Sequence, residues 1–395
     1  MRPYQTHPWN HMKREKKMNF DKGAKQQMGG AVANRMWRLW LCLLAWAVLA
    51  AMPASAQPYA YVANHKINAV SVVNTATNSV TAMIPVGAQP MGVAVTPDGA
   101  YVYVTNTEWI LQSHSVSVID ARTNAIVATI PVGNFPVRIA ITPDGAFAYV
   151  TNQEAHTVSV INTASRAVIA TITVAGHPWG VAISPDGARA YVTNQSANSV
   201  SVIDTATFAV VASVPVGTQP TGVAVAPSGA FVYVTNYASQ SVSVVETATN
   251  TVAATVPVGN LPLSVAITPG GTTAYVTNES DSTVSVIDTA THTVAATVGA
   301  GLGPRAVVVA PNGAYAYVTN RLTSDVSVIN TSTNTLAGTV MGFGMPEGIA
   351  IGPVPAAQTV TAPVELPGDQ RPRTAPERRN GVPRARTGRV ARPGR

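Results

Sequence analysis

Between residues 59 and 352, short apolar runs alternate with polar turns on a fixed beat. One unit shows the pattern. Gly92–Thr96 (GVAVT) leads into the turn Pro97-Asp98-Gly99, then Tyr101–Asn106 (YVYVTN), then Ser115–Asp120 (SVSVID), then the turn Ala121–Asn124, and finally Ala125–Val132 (AIVATIPV), closed by Gly133. Runs of five to eight residues rich in Val, Ile, Tyr and Thr, with Gly, Pro, Asp and Asn between them, predict four β-strands in an antiparallel meander. In Ser-Val-Ser-Val-Ile-Asp the polar and apolar positions alternate, which suits a strand with one polar face. Gly-Val-Ala-Val is small and apolar on both faces, as a strand crowded at a central axis must be. Gly92–Thr96 is therefore expected innermost (strand A) and Ala125–Val132 outermost (strand D).

The unit recurs. Tyr-Val-Thr-Asn stands at 103–106, 149–152, 191–194, 233–236, 275–278 and 317–320, with an imperfect copy, Tyr61-Val62-Ala63-Asn64, before them. The tyrosines are 42 residues apart except for one step of 46, between Tyr103 and Tyr149. A period in the forties with four short strands per unit predicts propeller blades. Seven copies predict an all-β, seven-bladed propeller over 57–353. The phase of the repeat also predicts how the ring closes. The chain enters on a second strand, at Ala60–Asn64, and ends on a first strand, Glu347–Gly352 (EGIAIG). Strand 347–352 is expected to complete the blade begun by residues 59–86.

The repeated Tyr-Val-Thr-Asn, Ser-Val-Ser-Val-Ile-Asp and Pro-Asp-Gly-Ala stretches, covering residues 59–353, resemble the YVTN-family β-propellers, a group of exported, surface-layer-like bacterial and archaeal proteins. The resemblance implies a seven-bladed propeller outside the cytoplasm and implies no single activity. Proteins with similar propellers include lactonases and proteins proposed to bind DNA, and fold alone does not choose among them.

Charge changes the picture at the two ends. The chain carries a formal +7, which invites a nucleic-acid reading. Yet residues 57–353 hold seven basic and thirteen acidic groups, a net of −6. Residues 1–56 hold nine basic and two acidic groups, and 354–395 nine arginines and three acids. A sequence-specific nucleic-acid face on the repeats is not expected. Residues 1–56 read as a signal peptide with a long polar extension: Arg35 and Arg38, an apolar run Leu39–Met52, and Ala54-Ser55-Ala56 before Gln57. The run is short for a membrane span. Met1, Met18, Met28 and Met36 are alternative starts. Cys42, the only cysteine, falls within this segment, so the mature chain has neither disulfide nor thiolate chemistry. Cleavage near Ala56 and a periplasmic or secreted bacterial location are expected. Residues 354–395, rich in Pro and Arg, are expected to be a disordered tail, either solubilising or able to meet an anionic polymer or membrane surface.

Candidate chemistry lies where the repeat breaks. The A–B turns (Pro97-Asp98-Gly99, Pro143-Asp144-Gly145, Pro185-Asp186-Gly187) and the C–D turns are near copies of one another. The D–A and B–C loops on the opposite face vary, and a scaffold with one uniform and one variable face is expected to bind through the variable one. Its residues are Gln89, Phe135, Arg138, His177, Trp179, Gln219, Arg305 and Glu347. Arg138, Arg305 and His177 are candidates for an anion-binding mouth, since guanidinium matches carboxylate or phosphate; equally they can pair with Glu347 as rim residues. Trp179 can stack on a ligand or cap the channel. The four-residue insertion brings Trp109, Ile110 and Leu111, which fold over their own blade or meet a partner. The five histidines from His65 onward share no repeat position, and no metal spacing, phosphate loop, dinucleotide fingerprint or nucleophile elbow is present. No cofactor or catalytic residue is expected. The leading expectation is a monomeric, non-enzymatic scaffold binding a ligand or envelope protein. The alternatives are a periplasmic lactonase-like hydrolase with its site in the channel, and an envelope-associated structural protein.

Overall fold

The computed structural model describes residues 58–108 and 114–353. The signal segment, the Trp109-Ile110-Leu111 loop and the Arg-rich tail lie outside the described residues. Within them the chain forms twenty-eight strands, β1 (Tyr59–Asn64) to β28 (Pro346–Gly352), and no helix. They make seven four-stranded antiparallel sheets. Six sheets are consecutive meanders, beginning with β4 (Pro90–Val95), β5 (Tyr101–Asn106), β6 (Ser115–Asp120) and β7 (Ala125–Pro131). The seventh joins the ends, in the order β28-β1-β2-β3, where β2 is Ala69–Asn74 and β3 Ser79–Pro85. This sheet is called blade 1, and the others blades 2 to 7 in chain order. Tyr59 pairs with Gly352 and Tyr61 with Ala350. The ring is a seven-bladed propeller closed by one strand against three.

Neighbouring A strands lie against each other, whereas the D strands barely meet, so the small apolar strands are innermost. Their composition is a steric requirement. A Cβ on Gly348 would fall 2.2 Å from the Met91 carbonyl oxygen of the next blade. The core sits between blades, not within them. Tyr61, Val70 and Val72 of blade 1 pack with Val102, Val104 and Ile119 of blade 2. Tyr103, Val116 and Val118 of blade 2 pack in turn with Ile139, Val150 and Ile161 of blade 3. Because side chains alternate across a strand, each B strand feeds both interfaces and is buried along nearly its whole length. The D strands are mostly exposed.

The A–B turns form their own ring on one face. Gly145 approaches Pro97, Gly187 approaches Pro143, and Gly313 approaches Pro269. In blade 1 the split strand leaves no such turn, and Pro353 takes the place of its proline against Gly99. The described chain therefore starts and finishes on this turn face, opposite the D–A and B–C loops.

Candidate functional site

The inner strand of each blade carries a bulge at the variable mouth. In blade 3, Pro136 pairs with Asn152 and Ile139 with Val150, so Val137 and Arg138 together oppose Thr151. The same two-against-one arrangement recurs in blades 2, 4, 5, 6 and 7. In blade 1, Glu347 and Gly348 oppose Ala63. A bulge leaves one residue outside the ladder and redirects its side chain. The bulge positions include Trp179, Arg305, Glu347 and Arg138, the residues that break the repeat.

The motif threonine holds these bulges. Thr105 Oγ1 accepts from the Gly92 N–H at 2.7 Å and donates to the Val137 carbonyl of the next blade at 3.2 Å. Thr193 does the same between Gly180 N and Thr221 O, both at 2.7 Å. At the candidate mouth, Thr151 accepts from Arg138 N at 3.1 Å and donates to Trp179 O at 2.7 Å. Thr319 reaches Glu347 O at 2.9 Å. Each hydroxyl thus satisfies the bulge of its own blade and pins the bulge of the next. The motif asparagine works inside the blade. Asn106 Nδ2 donates to Ser117 Oγ at 2.9 Å, and the pattern repeats at Asn152, Asn236, Asn278 and Asn320. Its side chain fills the space under the D–A glycine: a Cβ on Gly217 would lie 2.5 Å from Asn236 Cγ.

On one side of the mouth the charges are paired. Arg305 lies 3.3 Å from Glu279 and 3.6 Å from Glu347, and Arg321 lies 3.0 Å from Glu347. The Glu347 side chain is only 3% exposed, so it needs these partners. Tyr237 donates to Glu279 at 3.3 Å. His65, beside them, has its pKa lowered, first by burial and then by Arg321 and Arg305, against the opposing pull of Glu347.

The other side differs. The Arg138 guanidinium stands 5.9 Å from the centre of the Trp179 ring, within cation–π range. Its Nη1 is sealed from solvent without a hydrogen-bond partner among the described residues, and so is Trp179 Nε1. Burial lowers the Arg138 pKa, while Glu347 raises it and Arg305 lowers it further. Arg138, Arg305 and Glu347 all stand at inner-strand bulges, in blades 3, 7 and 1. Gln153 donates to Gln195 at 2.9 Å on this rim.

His177, Phe135, Gln89 and Gln219 stand at the corner just before the inner strand, with φ of 53°, 58°, 52° and 52°. Their carbonyls accept from the residue after each motif asparagine, for example Gln195 N to His177 O at 3.1 Å. The His177 ring does not join the arginines. It packs 4.8 Å from the ring of His156, whose Nδ1 accepts the His177 N–H. The expectation that no two histidines share a repeat position is corrected: His114 and His156 both end a B–C loop, where each carbonyl accepts from the start of the D–A loop, Val132 N and Val174 N. The two histidines lie 42 residues apart, the ordinary period, because the insertion precedes His114.

A ring of residues went unread in the sequence, namely the position after each motif asparagine: His65, Thr107, Gln153, Gln195, Tyr237, Glu279 and Arg321. All seven tie their backbone N–H to the D–A corner, and their side chains make most of the polar contacts at the mouth. Their variation directly after a recurring tetrapeptide was the available signal. Among the described residues no group of three or more His, Asp or Glu is placed to hold a metal ion.

The profile of the choice-of-anchor I domain matches residues 64–221, and that of the YNCE-like β-propeller matches residues 183–270. The chain is a β-propeller repeat protein. No curated protein matches it. Among solved structures, this propeller is similar to Kuenenia stuttgartiensis hydrazine synthase, with 27% identity over 69% of this chain and 92% of that one, at a TM-score of 0.63. It is also similar to a functionally unknown protein from Desulfotomaculum acetoxidans, with 23% identity, coverage of 74% and 98%, and a TM-score of 0.66. A 6-phosphogluconolactonase-like protein from Bacteroides uniformis shares 18% identity over 75% of this chain and 99% of that one, at a TM-score of 0.65. The last two likenesses concern the fold alone.

Proposed function

We propose that this propeller is an exported, non-enzymatic recognition module that binds a ligand or partner at the channel mouth formed by the inner-strand bulges. The observation that carries the reading is Arg138, a cation held beside Trp179 with a sealed Nη1 that nothing among the described residues accepts from. A buried, unsatisfied donor costs free energy, and an occupant supplying an acceptor recovers it. Export is supported by the apolar run Leu39–Met52 and Ala54-Ser55-Ala56.

A hydrolytic reading would draw on Glu279, Glu347 and His65. Both carboxylates are already engaged by guanidinium groups. The similar solved structures bear names of unrelated kinds, so the scaffold itself does not select a chemistry. The test is a capture experiment from an extracytoplasmic extract, comparing the wild-type chain with an Arg138→Ala/Trp179→Ala/Arg305→Ala variant that still melts cooperatively. Loss of specific captures in the variant is expected; identical captures would remove the mouth as the binding site.

A further inference from the structure

We infer that the occupant of this mouth is a small aromatic monocarboxylate, its carboxylate on Arg138 and its ring against Trp179. The inference rests on the proposed binding role and narrows it to a ligand class.

The charge comes from a count around the channel. Three guanidinium groups, Arg138, Arg305 and Arg321, meet two carboxylates, Glu279 and Glu347. Arg305 and Arg321 are both engaged by the carboxylates, which leaves one positive charge, on Arg138. His65 contributes none near neutral pH, because burial and the two arginines depress its protonation. One uncompensated cation calls for one negative charge; a dianion would leave an unpaired charge buried, which is costly.

The shape of the recognition comes from the donors. Guanidinium presents its N–H groups in a planar fork that matches carboxylate oxygens. Trp179 offers a flat apolar ring with a second unpartnered donor, Nε1, at its edge. An aromatic acid is complementary to both, because its ring stacks while its carboxylate lies in or near the ring plane. The neighbouring Gln153–Gln195 pair spends one donor and one acceptor on itself, leaving Gln195 Nε2 as a further donor on the same two blades. The site is pre-ordered, since Thr151 fixes the backbone of both Arg138 and Trp179, so little ordering entropy is lost on binding.

The test is calorimetric titration of the full chain with benzoate, benzamide, cyclohexanecarboxylate and inorganic phosphate. Benzoate is expected to bind at least about tenfold more tightly than its neutral isostere benzamide, since charge-assisted bonds are about twice as strong as neutral ones. Cyclohexanecarboxylate and phosphate are expected to bind more weakly than benzoate. Arg138→Gln, which keeps an N–H donor but not the charge, should bring the benzoate-to-benzamide ratio close to one. Trp179→Ala should weaken both. Equal binding of benzoate and benzamide, an unchanged ratio in Arg138→Gln, tighter binding of phosphate, or no binding by any of the four overturns the inference. Equal binding that is nevertheless lost in Trp179→Ala sinks the carboxylate assignment and leaves the mouth as the site. Binding untouched by either substitution places the probe elsewhere and sinks the binding role of the mouth as well.

Discussion

A single hydroxyl group does more in this molecule than its size suggests. Thr235 Oγ1 accepts from Gly222 N at 2.7 Å and donates to Leu263 O at 3.2 Å, so one side chain serves two blades. Thr235→Val preserves shape and strand propensity but orphans a buried N–H and a buried C=O. The expected loss is about 1–3 kcal/mol, read as a lower denaturation midpoint at unchanged slope. The first copy of the motif has Ala63 in place of threonine, so the joint between blades 1 and 2 lacks this link. His65 supplies a second test. Its folded-state pKa lies below 6.5, so the unfolded chain binds the extra proton first as pH falls. The stabilisation is complete above pH 6.5 and shrinks as pH drops from there toward the depressed folded pKa. His65→Gln should flatten the fall in melting temperature over that window; an unchanged slope would show that His65 is not its source. The constancy of the threonine was plain in the sequence, whereas its role was not, because the partners lie 13 residues back and 28 residues ahead.

At the scale of the strand, the closure rests on β28. Ending the chain after Met345 removes this strand, bares the edge of β1, and takes Ile349 out of a core shared with Val62 and Tyr317. Ending it after Pro353 keeps all of these. The first truncation should lower the melting temperature by more than about 10 °C, several kcal/mol at the usual conversion, and the second should leave it nearly unchanged. Strand order and closure were legible in the sequence because the repeat begins on a B strand and ends on an A strand. The bulges were not, since Pro136-Val137-Arg138-Ile139 reads as plain strand until Thr151 is seen opposite two residues. Arg138 stood out in a column otherwise made of Gly, Ser and Ala, and Trp179, Arg305 and Glu347 in a neighbouring column that differs in every blade. Glu279 and Arg321, the partners that pair the charges, were not legible, because they meet Arg305 and Glu347 only across blade boundaries.

For the whole molecule, the two faces differ in kind. Asp98, Asp144 and Asp186 cap the A–B turns, each accepting from a Thr or Ser hydroxyl and from a backbone N–H two residues on. Those bonds hold their carboxyl pKa values below the usual range, the hydroxyl bond contributing most. These carboxylates serve geometry, and their sameness marks the face as structural. We propose that the Arg-rich segment 354–395 is a separate, electrostatic contact point for anionic surfaces. Its deletion should shorten retention on an anionic matrix and flatten the dependence on salt. An identical elution profile would leave the segment with no such role.

The joint that closes the ring has a mechanical side. Tyr59 and Gly352 are antiparallel partners at the same end of their strands, and both flanking segments leave from there. Tension applied between the two flanks is borne first by that terminal pair and then by Ala60 with Ile351, one register at a time. Such loading unzips hydrogen bonds in sequence and does not shear them together. The closed ring is therefore expected to open at low force like a clasp, its first rupture in blade 1.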